Sequence, residues 1–185
     1  MTILGISGSL RRDSYNTILL RNAPFELELW EGLKEIPPYD EDDDVEPAPA
    51  AVARMRAAVA GADALLFATP EYNASVPGQL KNAIDWLSRP FATNVLRNKP
   101  VAVVGASSGA FGAVWAQAEL RKVLATAGAR VVEGDVAVGR AHERFDENGR
   151  LLDEDLREQL QLVVEALVGE VAPRSEFAPR VLAAA

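Results

Sequence analysis

Cysteine is absent from the 185-residue chain, which removes disulfide frameworks, thiolate metal sites and cysteine nucleophiles together. Any redox chemistry therefore has to come from a bound cofactor. Histidine occurs once, at position 142, so a transition-metal site lacks its usual donors, and the acids at 40–44 would attract divalent ions only loosely. Long apolar runs are missing too: nowhere do apolar residues approach the ~18 consecutive positions that a membrane span requires. Met1 leads straight into the strand-like "TILGISG" without a basic flank or a small-residue cleavage site. No secretory leader is read there, and the expected location is cytoplasmic. Positive charge is also scarce. A formal net charge of −8 disfavours wrapping a nucleic-acid backbone, so the expected partners are small molecules, with no nucleic acid and no membrane. No repeat at solenoid periods interrupts the chain. Its length suits one domain over 1–170. The remainder, 171–185, reads as a tail, because prolines interrupt "EVAPRSEFAPRVLAAA" and it has no apolar period.

What is present alternates. Strand-like runs stand at "TILGIS" (2–7), "FELELW" (25–30), "DALLFAT" (63–69), "PVAVVGA" (100–106) and "ARVVEGDVAV" (129–138). Segments of helical period separate them at 15–23, 49–61, 78–88, 112–128 and 153–169. Nearly continuous apolar runs suit parallel strands buried on both faces, whereas "FELELW" alternates as a half-exposed edge strand does. The alternation predicts a doubly wound α/β fold, in which ligands lie outside the carboxyl ends of the strands at the switch point. The proline- and acid-rich "EIPPYDEDDDVEPAPA" (35–50) reads as a solvated surface connection.

Three loops at the strand ends carry the chemistry. "GSLRRDSYN" (8–16) joins the first strand to the first helix. Gly8 permits a tight turn, Ser9 and Ser14 offer hydroxyls, Arg11 a charged fork and Asn16 an amide, which are phosphate-binding groups near a helix start. The same residues admit a plainer reading in which Ser14 caps the helix and the arginines are surface charges. The loop lacks the lysine of an NTPase phosphate loop and the G-x-G-x-x-G of a dinucleotide fingerprint. It also lacks the cysteine of a low-molecular-weight tyrosine phosphatase. Retention of a phosphate fits this loop better than its transfer. In "ATPEYNASVPGQLKNAIDWLSRP" (68–90), Pro70 and Pro77 stiffen the turn, Tyr72 supplies a flat ring, and Glu71, Asn73 and Ser75 supply polar groups. A planar heterocycle or a rigid strand-to-helix turn accounts for it. "GASSGAFGA" (105–113), with glycines at 105, 109 and 112, lets backbone approach a ligand closely.

In this order and spacing, "GSLRRDSYN", "PEYNASVPGQLKNAIDW" and "GASSGAFGAVWAQAELRKVL" resemble the NADPH-dependent FMN reductase family, which includes bacterial quinone, chromate and azo-dye reductases. The resemblance covers most of 1–138. It implies a three-layer α/β/α flavodoxin-like fold with a five-stranded parallel sheet in the order 2-1-3-4-5. It further implies that Ser9, Arg11, Ser14 and Asn16 hold the FMN phosphate, with Leu10 and Tyr15 contributing backbone. Pro70, Glu71, Tyr72 and Asn73 would line the isoalloxazine, and Ser107, Ser108 and Gly109 would close its other side. Members of the family often carry proline where this chain has Ser108.

The implied activity is an NAD(P)H:acceptor oxidoreductase, in which NADPH or NADH passes a hydride to FMN and quinones, flavins, azo dyes or metal oxyanions then take the electrons. A flavodoxin-type electron carrier and a flavin-binding redox sensor are the alternatives. No protein acid or base is nominated as catalytic, and His142 reads as a surface or interface residue. Trp86, Phe91, Trp115, Gln117 and Arg121 mix aromatic and charged character as interface anchors do. Core packing for the tryptophans and solvated charges for the rest explain them equally. Relatives assemble as dimers and tetramers, so the resemblance implies a homodimer or homotetramer.

Overall fold

The computed structural model describes residues 1–171; of the expected tail, all but Val171 lies outside the described residues. The chain forms strand β1 (Ile3–Ser7), helix α1 (Tyr15–Arg21), β2 (Leu27–Trp30), α2 (Ala50–Gly61), β3 (Ala64–Thr69) and α3 (Gly78–Leu87). It continues through β4 (Pro100–Ala106), α4 (Val114–Thr126), β5 (Arg130–Val131), β6 (Ala137–Val138) and α5 (Glu154–Gly169). The sheet runs β2-β1-β3-β4-β5, with β6 also paired to β4, and every pairing is parallel.

Side-chain alternation along the strands builds two cores. Leu4, Ile6, Leu65, Phe67, Val101 and Val103 pack with Val52, Met55 and Val59 of α2, Leu80 and Ile84 of α3, and Leu120 and Leu124 of α4. Their neighbours in sequence, Ile3, Leu66, Ala102 and Val104, pack on the opposite face with Leu19 and Leu20 of α1 and Leu160, Val163 and Leu167 of α5. The helical residues recur at three and four positions, which is why one stripe of each helix meets the sheet. The result is a three-layer flavodoxin-like fold. Each fully buried Leu, Ile or Val side chain contributes roughly 1.5–3 kcal/mol of apolar transfer, so the central strands β3 and β4, buried throughout, anchor the loops at their ends.

Four local expectations change. The expected strand 129–138 is two short strands, because Gly134 at φ 145° takes the chain out of the sheet between them. Arg121 of α4 holds this break, donating to the carbonyl of Gly134 at 2.6 Å and pairing with Asp135 at 3.0 Å. Helix α4 starts two residues later than the pattern suggests, since Gly112 and Ala113 both have positive φ. Trp86, Gln117 and Arg121 do not face outward as interface anchors. Trp86 is 1% exposed and donates to the Pro37 carbonyl at 2.9 Å. The Gln117 amide bonds the carbonyls of Gly112 at 2.9 Å and Val136 at 3.1 Å. Finally, 35–50 is more than a solvated connection. Ile36 is buried, Tyr39 packs edge-on against Trp86 at 4.9 Å, and Asn82 donates to Pro37 at 2.8 Å while accepting from Tyr39 N–H at 2.7 Å.

Candidate functional site

Strand β1 lies between β2 and β3, so the chain moves one way along the sheet after α1 and the other way after α2. That reversal is the switch point at which loops from neighbouring strands separate and leave a crevice. The loops after β1, β3 and β4 all leave this edge. The first two are tied directly, Gly8 N–H donating to the Ala68 carbonyl at 2.8 Å. A Cβ on Gly8 would stand 2.7 Å from the Leu80 side chain, so glycine is what lets the first loop lie close to α3.

In that loop Ser14 is the N-cap of α1. Its Oγ accepts from the N–H groups of Asn16 at 3.2 Å and Thr17 at 3.4 Å. The capping reading of Ser14 is thus correct for its oxygen, while the hydroxyl proton remains a donor. Asn16 is 2% exposed and forms a reciprocal pair with Ala106 at the end of β4. Its Nδ2 donates to the Ala106 carbonyl at 2.9 Å and its Oδ1 accepts from the Ala106 N–H at 2.9 Å. One amide N–H is left for a ligand. Asn16 therefore joins the first loop to the third. Ser9 accepts from Arg11 N–H at 3.4 Å. The Arg11 guanidinium lies 5.9 Å from the centre of the Tyr15 ring, and that ring stacks on Phe145 at 5.9 Å with 9° between planes. Leu10 is exposed.

The second loop turns sharply. Tyr72 and Ser75 exchange backbone hydrogen bonds at 3.2 and 3.1 Å, with Asn73 at φ 53° and Ala74 at φ 57° between them. Two consecutive positive φ values are those of a type I′ hairpin turn. Pro70 is buried and Tyr72 is exposed. Glu71 points away from the turn. Its carboxylate accepts from the N–H groups of Trp115 and Ala116, both at 3.0 Å, and so caps α4, which has no capping side chain from its own Ala113. A second acid holds the loop from the other side: Glu119 accepts from the Ser75 hydroxyl at 2.6 Å and from Val76 N–H at 3.1 Å. The Ser75 hydroxyl, then the Val76 amide, hold the Glu119 carboxyl below its ordinary pKa. Glu119 was not among the predicted site residues. An acid in the second turn of an amphipathic helix looks in sequence like any solvated charge, and nothing in the pattern marks its partner 44 positions earlier.

The third loop rests on the segment after β6. Ser107 N–H donates to Val138 at 3.0 Å, Arg140 N–H to Gly109 at 2.8 Å and Ala141 N–H to Ser107 at 3.0 Å. Ser107 Oγ accepts from Gly109 N–H at 3.1 Å, while Ser108 and Gly109 are exposed. His142 is on this supporting segment, its imidazole half-exposed and 3.3 Å from Glu143. Beyond the loop, Phe111 and Trp115 meet edge-to-face at 5.2 Å; with Tyr72 they are exposed aromatic rings. The structure thus brings all three loops to one sheet edge. Ser9, Leu10 and Arg11 additionally line a cavity on the β2 side of α1, away from the loops after β3 and β4.

Residues 1–143 match the family model for NADPH-dependent FMN reductase. The chain belongs to this family. It is 45% identical to an NAD(P)H-dependent FMN reductase of Pseudomonas aeruginosa over 89% of this chain and 92% of the relative. It is 36% identical to a 2-hydroxy-1,4-benzoquinone reductase of a Burkholderia species over 94% of this chain and 98% of the relative. Among solved structures, a flavoenzyme NAD(P)H:(acceptor) oxidoreductase of Paracoccus denitrificans superposes with a TM-score of 0.80 at 37% identity, covering 92% of this chain and 96% of that one. This family member is accordingly an oxidoreductase with FMN as cofactor and NAD(P)H as electron donor. Among the described residues, no helix is long and apolar enough to cross a membrane.

Proposed function

We propose that the crevice at the β1, β3 and β4 loops holds FMN, and that the enzyme passes electrons from NAD(P)H to quinones and other flat, electron-poor acceptors such as free flavins and azo dyes, and to metal oxyanions. The donor set suits the group. Ser9 and Ser14 retain hydroxyl protons, Arg11 a guanidinium and Asn16 one amide N–H, which complement the oxygens of a phosphate. Leu10 and Tyr15 add backbone. Pro70, Glu71, Tyr72 and Asn73 present a stiff turn to one side of the ring, and Ser107, Ser108 and Gly109 present backbone and hydroxyls to the other.

The observation that carries this reading is the commitment of Glu71 to α4. A carboxylate at the centre of the crevice would repel an anionic ligand and compete for its donors. Its capping bonds set that charge against the positive end of α4. FMN, when bound, supplies the hydride-accepting and electron-donating chemistry. The chain's own residues bind and orient: Arg11 and the serines hold the anionic end, and Glu119 keeps the Tyr72 turn in place. Exposed Tyr72, Phe111 and Trp115 offer flat apolar surface to an acceptor. The relative named for a benzoquinone substrate supports quinones as one acceptor class. We further read the enzyme as cytoplasmic, where NAD(P)H is available, and as a homodimer or homotetramer, with exposed Phe91 and Trp115 as contact residues.

Purified yellow protein mixed with NADPH or NADH without oxygen tests the reading. The flavin absorbance is expected to bleach rapidly and to return when a quinone is added. Protein that keeps FMN but does not bleach is instead an electron carrier or sensor. Light scattering decides the assembly, and a monomer at working concentration rejects it.

A further inference from the structure

The cavity on the β2 side of α1, about 290 Å³ in volume, shares Ser9, Leu10 and Arg11 with the first loop but extends past it to Arg21 of α1 and to Glu31 and Lys34 beyond β2. Its floor is apolar and its wall is basic. Gly5, Leu20 and Leu29 make the floor, and Arg11, Arg12, Arg21 and Lys34 stand around the mouth against a single carboxylate, Glu31. In a chain of net charge −8 this is a local reversal of sign. Among the described residues these four cations take part in no ion pair, whereas Arg54, Arg56, Arg121, Arg130 and Arg144 all do. Trp30, whose buried indole Nε1 has no partner, forms part of the cavity wall.

We propose that this cavity receives the phosphorylated adenosine end of NADPH, with Arg12, Arg21 and Lys34 around the ribose 2′-phosphate, so that it sets the preference for NADPH over NADH. The inference rests on the reading that a nicotinamide donor meets FMN at the β3 and β4 loops. Adjacent strands are ~4.8 Å apart. The end of β2 is therefore roughly 10–14 Å from the crevice between β3 and β4, within the span of an extended dinucleotide. A ribose phosphate carries a charge near −2 at neutral pH, which three uncommitted cations match and a 2′-hydroxyl does not. Arginines near the end of the second strand accommodate a 2′-phosphate in other doubly wound folds. Glu31 lines the same cavity; an acid there favours a ribose hydroxyl, and the three cations outweigh its single charge. Arg11, a first-loop residue, also lines the cavity.

The test uses FMN-loaded enzyme and two probes, adenosine 2′,5′-bisphosphate and 5′-AMP, followed by calorimetry. The bisphosphate is expected to bind at least ~10-fold more tightly, the size of one charge-assisted contact. The double variant Arg21→Ala/Lys34→Ala is expected to lose that difference and to lower kcat/KM for NADPH relative to NADH by a similar factor. Both side chains are exposed, so the fold tolerates the change, and a retained FMN content verifies it. Equal binding of the two probes by the parent enzyme overturns the proposal, as does a preference that survives in the double variant. Bisphosphate binding confined to FMN-free protein overturns it too, since the cavity would then take the flavin phosphate. Failure of either nucleotide to bleach the flavin would instead strike the functional reading, a result the probe titration does not depend on.

Discussion

The Glu71 carboxylate accepts the Ala116 N–H at 3.0 Å across the gap between the second and third loops, and through it the turn that presents Tyr72 is fastened to the first turn of α4. One side chain thereby satisfies two of the free N–H groups of a helix that lacks its own cap.

Glu71→Ala is expected to lower stability by about 1–2 kcal/mol, the usual cost of losing a cap, and to weaken FMN binding through the displaced turn. Denaturant melts with and without FMN measure both. An unchanged melt would show that α4 finds another cap.

Glu119 makes stability depend on pH in a defined direction. Its folded carboxyl is held below the ordinary 4.5 by Ser75 and Val76. The contribution is therefore present above that value and lost as pH falls through the lower folded one. Because the side chain is exposed, the effect is small. Thermal melts of the parent and Glu119→Gln are expected to differ at about pH 6 and to converge as the pH falls through the lowered folded value.

Asn16→Ala leaves the buried N–H and carbonyl of Ala106 without partners. At ~1–3 kcal/mol for each unsatisfied group, the loss is roughly 2–6 kcal/mol, visible in FMN-free protein. A residue serving only the phosphate would cost affinity and leave the FMN-free melt unchanged.

Arg11→Ala is expected to behave in the opposite way. It removes a charge-assisted contact of about 1.5–3 kcal/mol, raising the FMN Kd roughly 10- to 150-fold without moving the melt of the FMN-free protein. Fluorescence titration of FMN gives the ratio, and an unaltered Kd would place the phosphate elsewhere.

Gly112→Ala combines a backbone at φ 59° with a Cβ that would lie 2.3 Å from the Ala137 carbonyl carbon. Backbone against backbone has no rotamer to yield. A loss of about 4 kcal/mol or more is expected, measured as loss of folded protein on expression.

Much of the fold was legible because it follows from periodicity. Apolar runs marked β3 and β4, which are buried on both faces, and the three- and four-residue spacing marked the helices. The fifth strand misled because "VVEGDVAV" is apolar enough for a strand, while the contact that breaks it is Arg121, ten and more positions earlier. The interface reading of Gln117 and Arg121 failed likewise: their polar groups meet backbone carbonyls that only the folded sheet brings near.

The order of residues along the chain determined by itself the first four strands, the presence of five helices and which loops concentrate hydroxyls, arginine and glycine, since these depend on local pattern and residue chemistry. It also determined that redox chemistry needs a borrowed cofactor. Tertiary structure alone decided where polar groups direct themselves: Glu71 to α4, Asn16 to β4, Glu119 to the Tyr72 turn, and four cations around one cavity. The reason is distance. Hydrogen bonds and charges act over a few ångströms, between residues that the chain separates by tens of positions and that only the packed sheet brings together.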